Sequence, residues 1–355
     1  MTNKKVAILN FPIEKVGGID TYNRNLTKGL KELGYDVENC LISTNTKRLP
    51  DKPKFDKIFG FEQDKWLNEL EEYYDGCDIL IFSVPCPHLL KGYKSEVWKN
   101  VYESITPGKK VLAVMHDKYL PKYYPWFREV AEKHEVKFIL PKEAFKNVLM
   151  DVKVMKKVIP MPYETKEVDV EKILENKQDI LIDANNYKSV KRKHLILDVV
   201  TKIPMKIIFY GEHSTLEFFN IKSHKNFNLI EDKGWKTPEE VFKDMLISKI
   251  STDFIWYRDI NGFTEYVQLE SANALCVPIS FMSSCPAYGL KTIVIKNILE
   301  LPNIVEDIKN NFEKYKPMLL ENLKLIKRLK CSRIAQNIVD FANESYEVAK
   351  IHNWW

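Results

Sequence analysis

Short apolar runs alternate with amphipathic stretches along most of this chain of 355 residues. Runs such as Val6–Phe11 and Val111–His116 are mostly apolar, which is typical of strands buried on both faces of a parallel sheet. Apolar residues recur at helical spacing between them, as in Asp20–Leu33. Since parallel strands need crossover connections, this alternation predicts an α/β fold with doubly wound parallel sheets.

The alternation is interrupted around Val158–Lys172, where two prolines and a charged stretch predict a linker. It restarts at Asp179–Ala184, and the chain is long enough for two domains of ordinary size. We therefore predict two Rossmann-like domains that face each other across a cleft. Further elements predicted in the second are helices over Pro238–Lys249 and Leu269–Leu275 and a strand over Phe254–Tyr257.

Composition limits the classes of protein to which the chain could belong. The hydrophobic fraction of 45% is enough for two cores, and the net charge of +5 permits a local basic groove without demanding one. The cysteines form no C-x-x-C pair, and the histidines show no metal-ligand spacing. Without an apolar run of bilayer length or a signal-peptide core, we expect a soluble, cytoplasmic protein. The histidine spacing indicates no metal site.

Two adjacent glycines, Gly17 and Gly18, separate the first predicted strand from the first predicted helix. Such a segment lets backbone N–H groups approach a phosphate or a sugar closely at a helix N-terminus. The spacing fits neither the dinucleotide-binding G-x-G-x-x-G pattern nor the P-loop, which disfavours an NAD enzyme and a P-loop NTPase. An ordinary turn is the alternative interpretation.

A histidine and an aspartate, His116 and Asp117, follow directly after an apolar strand. The strand end faces the ligand crevice in such a sheet, where an imidazole can donate to a sugar hydroxyl and a carboxylate can take a proton. A surface-loop pair is the alternative. The next residues, up to Trp126, mix lysines with aromatics that either hold nucleic acid or pack on the domain.

Two motifs in the second half suggest a nucleotide-sugar site. Lys188 and Lys191 belong to a segment with four cations that follows a strand and opens a predicted helix, where a diphosphate would offset the helix dipole. Glu265 and Glu270 precede small residues, which predicts a helix that faces a ligand and packs tightly on a sheet. A solvated basic face and a capping carboxylate are the alternatives.

In this order, the motifs resemble retaining glycosyltransferases of the GT-B architecture. Gly17–Tyr22 is similar to their G-G-[IV]-x-x-[YF] segment. The common bacterial members carry two glutamates that are separated by seven residues, and Gly262 replaces the first of these here. The chain is most similar to the T-even phage DNA α-glucosyltransferase branch, whose E-Y-x-x-L-E segment matches Glu265–Glu270. Matching segments elsewhere are Cys77–Ile81, Ser83–Pro85, His116–Asp117 and Tyr210–Gly211.

The resemblance implies a domain organisation. Residues 1–160 would form an acceptor-binding domain, residues 161–335 a domain that binds the nucleotide sugar, and residues 336–355 a helix that packs back on the first domain. The donor would be UDP-glucose or UDP-arabinose, with no metal strictly implied.

The resemblance also implies roles for the residues of the donor site. Glu270 would hold the ribose hydroxyls, Glu265 would reach the sugar, and Lys191 would hold the diphosphate. The family has an arginine where this chain has Asn186, and Lys188 is the cation that would compensate. The remaining donor-binding candidates are Gly17, Gly18, Tyr210 and Gly211.

His116 would contact the transferred sugar, and Asp117 would accept the proton of the acceptor hydroxyl. In this branch the acceptor is 5-hydroxymethylcytosine in duplex DNA, which the enzyme would flip out of the stack. The candidates for holding the DNA are Lys118, Tyr119, Lys122, Tyr123 and Trp126. The protein would then act in the cytoplasm of a phage's host. The alternatives are a GT-B enzyme acting on a saccharide or lipid of the cell envelope, and a non-enzymatic GT-B fold that binds DNA or sugar.

Overall fold

The computed structural model describes residues 4–10, 18–43, 55–60, 65–84, 95–116, 125–141, 154–183, 202–203, 205–210, 227–234, 236–253, 266–281 and 287–345. The chain divides into two compact units. Unit 1 consists of Met1–Glu164 with Leu329–Trp355, and unit 2 consists of Thr165–Arg328. The labels below number the helices and strands within the described residues.

Unit 1 is built on a parallel sheet. Its described strands are β1 (Lys5–Asn10), β2 (Asp36–Ser43), β3 (Lys57–Gly60), β4 (Ile79–Phe82), β5 (Lys110–Val114), β6 (Lys137–Leu140) and β7 (Lys156–Val158). Its described helices are α1 (Gly18–Glu32), α2 (Trp66–Asp75), α3 (Ser95–Glu103), α4 (Pro125–Lys133) and α10 (Cys331–Asn343). The strand order is β3-β2-β1-β4-β5-β6-β7, so the order reverses between β1 and β4.

Helices cover both faces of this sheet. One face bears a large apolar cluster that includes Leu9, Phe82 and Met115 together with side chains of α2, α3 and α4. The other face carries α1 and α10, which pack on each other, α1 against β2 and α10 against β5. This double coverage explains why the strands are apolar at nearly every position.

Unit 2 repeats the arrangement. Its described strands are β8 (Gln178–Asp183), β9 (Lys206–Phe209), β10 (Ile230–Asp232), β11 (Ser248–Asp253), β12 (Val277–Phe281) and β13 (Ile293–Ile295). Its described helices are α5 (Val170–Glu175), α6 (Pro238–Ile247), α7 (Tyr266–Asn273), α8 (Leu301–Asn310) and α9 (Lys316–Ile326). The order β10-β9-β8-β11-β12-β13 is entirely parallel and reverses between β8 and β11.

The predicted fold class is confirmed: both sheets are parallel and doubly wound, and the last described helix packs in the first unit. That helix begins at Cys331, whereas the returning segment was expected from residue 336. Along the chain, the boundaries between the units fall at 164/165 and 328/329, compared with the expected 160/161 and 335/336.

Two element boundaries predicted in unit 2 are wrong. The helix predicted to reach Lys249 ends at Ile247, because the chain enters β11 at Ser248. The strand is polar, and several of its polar side chains have partners: Lys249 donates to Asp179 at 2.6 Å, and Ser251 contacts Ser271. The predicted strand over Phe254–Tyr257 lies outside the described residues. Helix α7 begins at Tyr266, three positions before the predicted start.

Lysines at the amino ends of strands, Lys137 buried and Lys177 half-buried, cap helices whose C-termini reach the same edge. Lys137 Nζ donates to the carbonyl oxygens of Phe341 at 3.1 Å and Ala342 at 2.8 Å, and to that of Glu344. Lys177 Nζ donates to the carbonyl oxygen of Ala274 at 2.7 Å, directly after α7. A cation at this position satisfies carbonyls that have no partner within the helix and complements its dipole.

Candidate active site

In unit 1, three polar residues follow the neighbouring strands β1, β4 and β5 at the point where the strand order reverses. Asn10 ends β1, Ser83 follows β4, and His116 follows β5. The Ser83 backbone N–H donates to the carbonyl oxygen of Leu9 at 3.0 Å, which keeps Ser83 level with Asn10. Such an edge is where open parallel sheets bind ligands.

These three side chains share one face of the sheet. Leu9, Phe82 and Met115 belong to the apolar cluster on the opposite face. Successive side chains of a strand point to opposite faces, so the residues after them point toward the face that carries α1. Asn10 and Ser83 are buried, and His116 is half-buried.

Helix α1 contributes two further side chains to this edge. The Tyr22 ring makes an edge contact with the His116 ring, with centroids 5.0 Å apart and planes at 84°. Asn23 Nδ2 donates to Asn10 Oδ1, and Asn10 Nδ2 donates to the carbonyl oxygen of Ile8 at 3.1 Å. We call Asn10, Tyr22, Asn23, Ser83 and His116 the switch-point cluster.

Two atoms of the switch-point cluster are buried without a hydrogen-bond partner within the described part of the chain. They are Ser83 Oγ and Asn23 Oδ1. The carbonyl of Ile8 fixes the orientation of the Asn10 amide, so Asn23 must present its Nδ2 to Asn10 and keep its Oδ1 unpaired. An unpaired buried polar atom costs about 1–3 kcal/mol, and functional sites are one place where that cost is tolerated.

The structure therefore positions some of the unit 1 candidates and leaves others undescribed. His116 lies at the expected strand end, and Gly18 is the first residue of α1. Trp126 lies on α4, half-buried against the apolar cluster and edge-on to Phe127 at 5.9 Å, as in the alternative interpretation of this segment. Outside the described residues lie Gly17, Asp117, Lys118, Tyr119, Lys122 and Tyr123.

In unit 2, buried polar residues also mark the point where the strand order reverses. Asp183 ends β8 and pairs in register with Thr252 of β11. Both are almost fully buried, and Thr252 Oγ1 has no hydrogen-bond partner among the residues that the structure describes. Unit 2 thus has its own polar carboxyl edge.

Helix α7 lies beside this edge and is fixed by a polar seam. The Ser271 hydroxyl is 2.7 Å from both the Val267 carbonyl oxygen and the Ser251 hydroxyl, so Ser271 can donate to the former and accept from the latter. Gln268 Nε2 lies 3.4 Å from Ser280 Oγ on β12. These contacts set the rotation of α7 about its axis.

The C-terminal end of α7 is fixed as well. The Asn273 side chain accepts from the Lys166 backbone N–H at 2.7 Å and donates to the Lys166 carbonyl oxygen at 2.9 Å. Glu270 is half-buried, whereas its neighbours Leu269 and Ser271 are buried, so Glu270 lies on the less buried side of α7. It lies in the second turn rather than at the helix start that the sequence predicted.

The side chain of Tyr210 belongs to the core of unit 2. The ring is fully buried in the apolar cluster of unit 2, and the hydroxyl donates to Asp244, which also pairs with Lys233 at 2.7 Å. Burial and the Asp244 carboxylate raise the pKa of Tyr210. A donor-binding role at this position, which stays a prediction, therefore falls to the backbone. The remaining donor candidates, Lys188, Lys191, Gly211 and Glu265, lie outside the described residues.

The described residues contain neither a metal-binding group nor a membrane-spanning helix. No group of three or more His, Cys, Asp or Glu side chains there could hold a metal ion. Likewise, no helix in this part of the chain is long and apolar enough to cross a membrane.

Sequence reasoning singled out His116 but missed the switch-point residues Asn10, Asn23 and Ser83 as members of a site. A polar residue at the end of an apolar strand was the available signal for Asn10 and Ser83. Asn23 offered no such signal, because its role depends on where α1 packs.

Two parallel, doubly wound units with polar carboxyl edges, and a last described helix that belongs to the first unit, define the GT-B type of α/β fold. A structure of an α-glucosyltransferase in complex with UDP-glucose and DNA containing an abasic site matches 96% of this chain and 100% of that chain, with a TM-score of 0.68 at 13% identity.

Other glycosyltransferases match to a similar extent. A Staphylococcus aureus TarM variant in complex with fondaparinux, α-GlcNAc-glycerol and UDP has a TM-score of 0.70 at 10% identity, with 96% and 100% of the two chains covered. A glycosyltransferase from Rickettsia africae has a TM-score of 0.64 at 13% identity, with 96% and 98% covered. No protein-family model and no curated protein sequence matches the chain. At these identities the likeness establishes the fold.

Proposed function

We propose that the protein is a glycosyltransferase that moves glucose or arabinose from a UDP-sugar to 5-hydroxymethylcytosine in duplex DNA. The observation that supports this most is the full-length likeness to α-glucosyltransferase structures. Those structures contain UDP-glucose or UDP together with DNA, in two cases DNA with a hydroxymethyluracil base. The collinear segments in the sequence favour the same branch.

The donor is assigned to unit 2, on the sequence resemblance. Glu270 holds the ribose hydroxyls from the less buried side of α7, and Glu265 reaches the sugar. Lys191 and Lys188 neutralise the diphosphate. The backbone at Tyr210 and Gly211 completes the nucleotide contacts, and the helix that begins at Gly18 adds positive potential near the phosphates.

In the transfer step, the bond between the anomeric carbon and the diphosphate oxygen breaks, and a bond from that carbon to the acceptor oxygen forms. Asp117 takes the proton that leaves the acceptor hydroxyl. His116 donates a hydrogen bond to the transferred sugar and orients its anomeric carbon. Cations and helix N-termini stabilise the negative charge that develops on the leaving diphosphate. The resemblance implies that the anomeric configuration is retained.

The acceptor base must leave the stack before its hydroxymethyl group can react, at a cost of a few kcal/mol. Lys118 and Lys122 hold phosphates, and Tyr119 and Tyr123 stack on bases or fill the gap. Trp126 is the remaining candidate for holding the DNA, and its side chain is half-buried against the apolar cluster of unit 1.

The test is a transfer assay with a matched pair of duplexes. Each UDP-sugar is incubated with duplex DNA that contains 5-hydroxymethylcytosine, and the digested nucleosides are weighed. The same duplex with 5-methylcytosine lacks only the accepting oxygen and should gain no mass. A mass gain of one sugar on the hydroxymethylated nucleoside is the expected result. DNA binding should weaken steeply as salt increases.

A second candidate function is transfer to a saccharide or lipid acceptor in envelope synthesis. The overall fold supports this candidate as well as the first, because the TarM variant, which was solved with saccharide ligands and UDP, has a TM-score of 0.70. If the DNA gains no sugar while the protein hydrolyses the donor or modifies a glycan, the result would support this candidate and contradict the first. Failure to bind any UDP-sugar would contradict both and favour a non-enzymatic binding protein.

A further inference from the structure

We infer that Tyr22 is a positioning residue for His116: it fixes the orientation of the imidazole that contacts the transferred sugar. The inference rests on the proposed function, because it concerns the same site. It assigns to Tyr22 a role that the glycine motif alone does not indicate.

The contact between the two rings restricts the orientation of the imidazole. Tyr22 is fully buried on α1, and its ring meets the His116 ring at 84° with 5.0 Å between the centroids. Aromatic rings prefer this edge-to-face arrangement, so the contact selects one orientation of the imidazole plane. His116 itself lies two residues after the end of β5.

Helix α1, which carries Tyr22, is held rigidly against the rest of unit 1. The neighbour of Tyr22, Asn23, donates to Asn10 at the end of β1. One half-turn further along α1, Asn25 Nδ2 donates to the carbonyl oxygen of Pro162 at 3.0 Å. These two bonds lie on different sides of α1 and prevent it from rotating, which holds Tyr22 toward the sheet.

The orientation of the imidazole affects the rate of transfer. A hydrogen bond from an imidazole is directional, so a ring that rotates freely spends less time in the productive orientation. Most of the proposed donor contacts belong to unit 2, so the orientation of this one ring contributes little to donor affinity. Loss of the Tyr22 ring should therefore lower kcat and change the donor dissociation constant far less.

The experiment compares Tyr22→Leu with Tyr22→Phe. We expect Tyr22→Leu to lower kcat by about 10- to 100-fold, in the range of a small misplacement of a reacting group. Tyr22→Phe keeps the ring and should retain most of the activity. An equal loss in both variants would show that the hydroxyl, not the ring contact, matters, and would overturn the inference.

A double-mutant cycle separates positioning from general damage. If Tyr22 acts through His116, adding Tyr22→Leu to His116→Ala should cause no further loss of kcat. Losses that multiply would overturn the inference. Tyr74→Leu removes a fully buried ring from the opposite face of the same sheet and should lower stability with kcat unchanged, provided that all variants are assayed below their Tm.

A second measurement does not depend on activity. In protein with labelled histidine, the ring signals of His116, identified by their loss in His116→Ala, should shift in Tyr22→Leu and stay in place in Tyr74→Leu. Unmoved signals would overturn the inference. If the wild-type protein transfers no sugar at all, the proposed function fails, and the positioning role for transfer fails with it. If the wild type transfers sugar but the losses of Tyr22→Leu and His116→Ala multiply in the double variant, only the role of Tyr22 is contradicted.

Discussion

A Cβ atom on Gly29 would lie 2.2 Å from the carbonyl oxygen of Cys331, where α1 meets the start of α10. Cβ atoms do not approach backbone oxygens so closely, so the two helices can pack at this distance only with glycine at position 29. The contact fixes α10 against α1, the helix that carries Tyr22 and Asn23.

Gly29→Ala should therefore destabilise the protein, although alanine favours helix formation by about 1 kcal/mol over glycine. We expect a net loss of about 1–3 kcal/mol from the forced separation of the helices. Gly76→Ala is the matched control, because its Cβ would meet its nearest neighbour at 3.5 Å at an ordinary φ of −75°. Denaturant unfolding of both variants measures the difference, and equal stabilities would contradict the packing argument.

Lys137→Met should release the C-terminal end of α10. The substitution keeps the stem but leaves the carbonyl oxygens of Phe341, Ala342 and Glu344 without their charged donor, at a cost of at least about 2 kcal/mol. Hydrogen exchange across α10 should accelerate in the variant.

The control for this prediction is Lys110→Met on the neighbouring strand β5. Lys110 Nζ donates to Asn343 Oδ1 at 2.6 Å from an exposed position, and an exposed side-chain contact contributes about 1 kcal/mol or less. If both variants lost the same stability, the capping role of Lys137 would be wrong.

His134 should make the folded protein less stable as the pH falls. Burial, with a smaller effect from Lys133, lowers the pKa of His134, whereas Glu103 acts in the opposite direction. Below the ordinary pKa of about 6.5 the unfolded chain therefore binds a proton that the folded protein does not, and the stability decreases until the folded pKa is reached.

The measurement is Tm between about pH 8 and pH 5.5, a range in which histidine is the main group to titrate. His134→Gln, which cannot take up the proton, should lose less Tm over this range than the wild-type protein does. The difference in Tm between the two proteins at about pH 8, where histidine is neutral, measures any loss of packing caused by the substitution itself. Parallel curves for the two proteins would exclude His134 as a source of the pH dependence.

The sequence was enough to predict the fold class because both sheets are covered on both faces, which makes their strands almost uniformly apolar. It failed at β11, where Ser248, Lys249 and Ser251 interrupt the apolar pattern. Lys249 and Ser251 find their partners on residues distant in sequence, Asp179 and Ser271. A local pattern contains no information about such partners, so the preceding helix was expected to continue to Lys249.

The same limit applies to the candidate site. His116 could be located because it follows an apolar strand, and Glu270 because small residues follow it. Asn23 could not, because its contact with Asn10 depends on how α1 packs on the sheet. Tyr210 shows the converse: its place after a strand predicted a ligand contact, while its side chain is held in the core by Asp244.

Asp117→Asn tests the proposed proton acceptor, which lies next to His116 in sequence. The amide is nearly isosteric with the carboxylate but cannot take the proton of the acceptor hydroxyl, so sugar transfer should fall by about 10²- to 10⁴-fold, the range for loss of a general base. Binding of the UDP-sugar, measured by calorimetry, should stay within about twofold of the wild type, because the donor contacts are assigned to unit 2. Asp36→Asn, the same change at an exposed position that begins β2 at the opposite edge of the sheet, should leave both quantities unchanged. Loss of donor binding in Asp117→Asn would instead assign Asp117 to the donor site and leave the proton acceptor to another group.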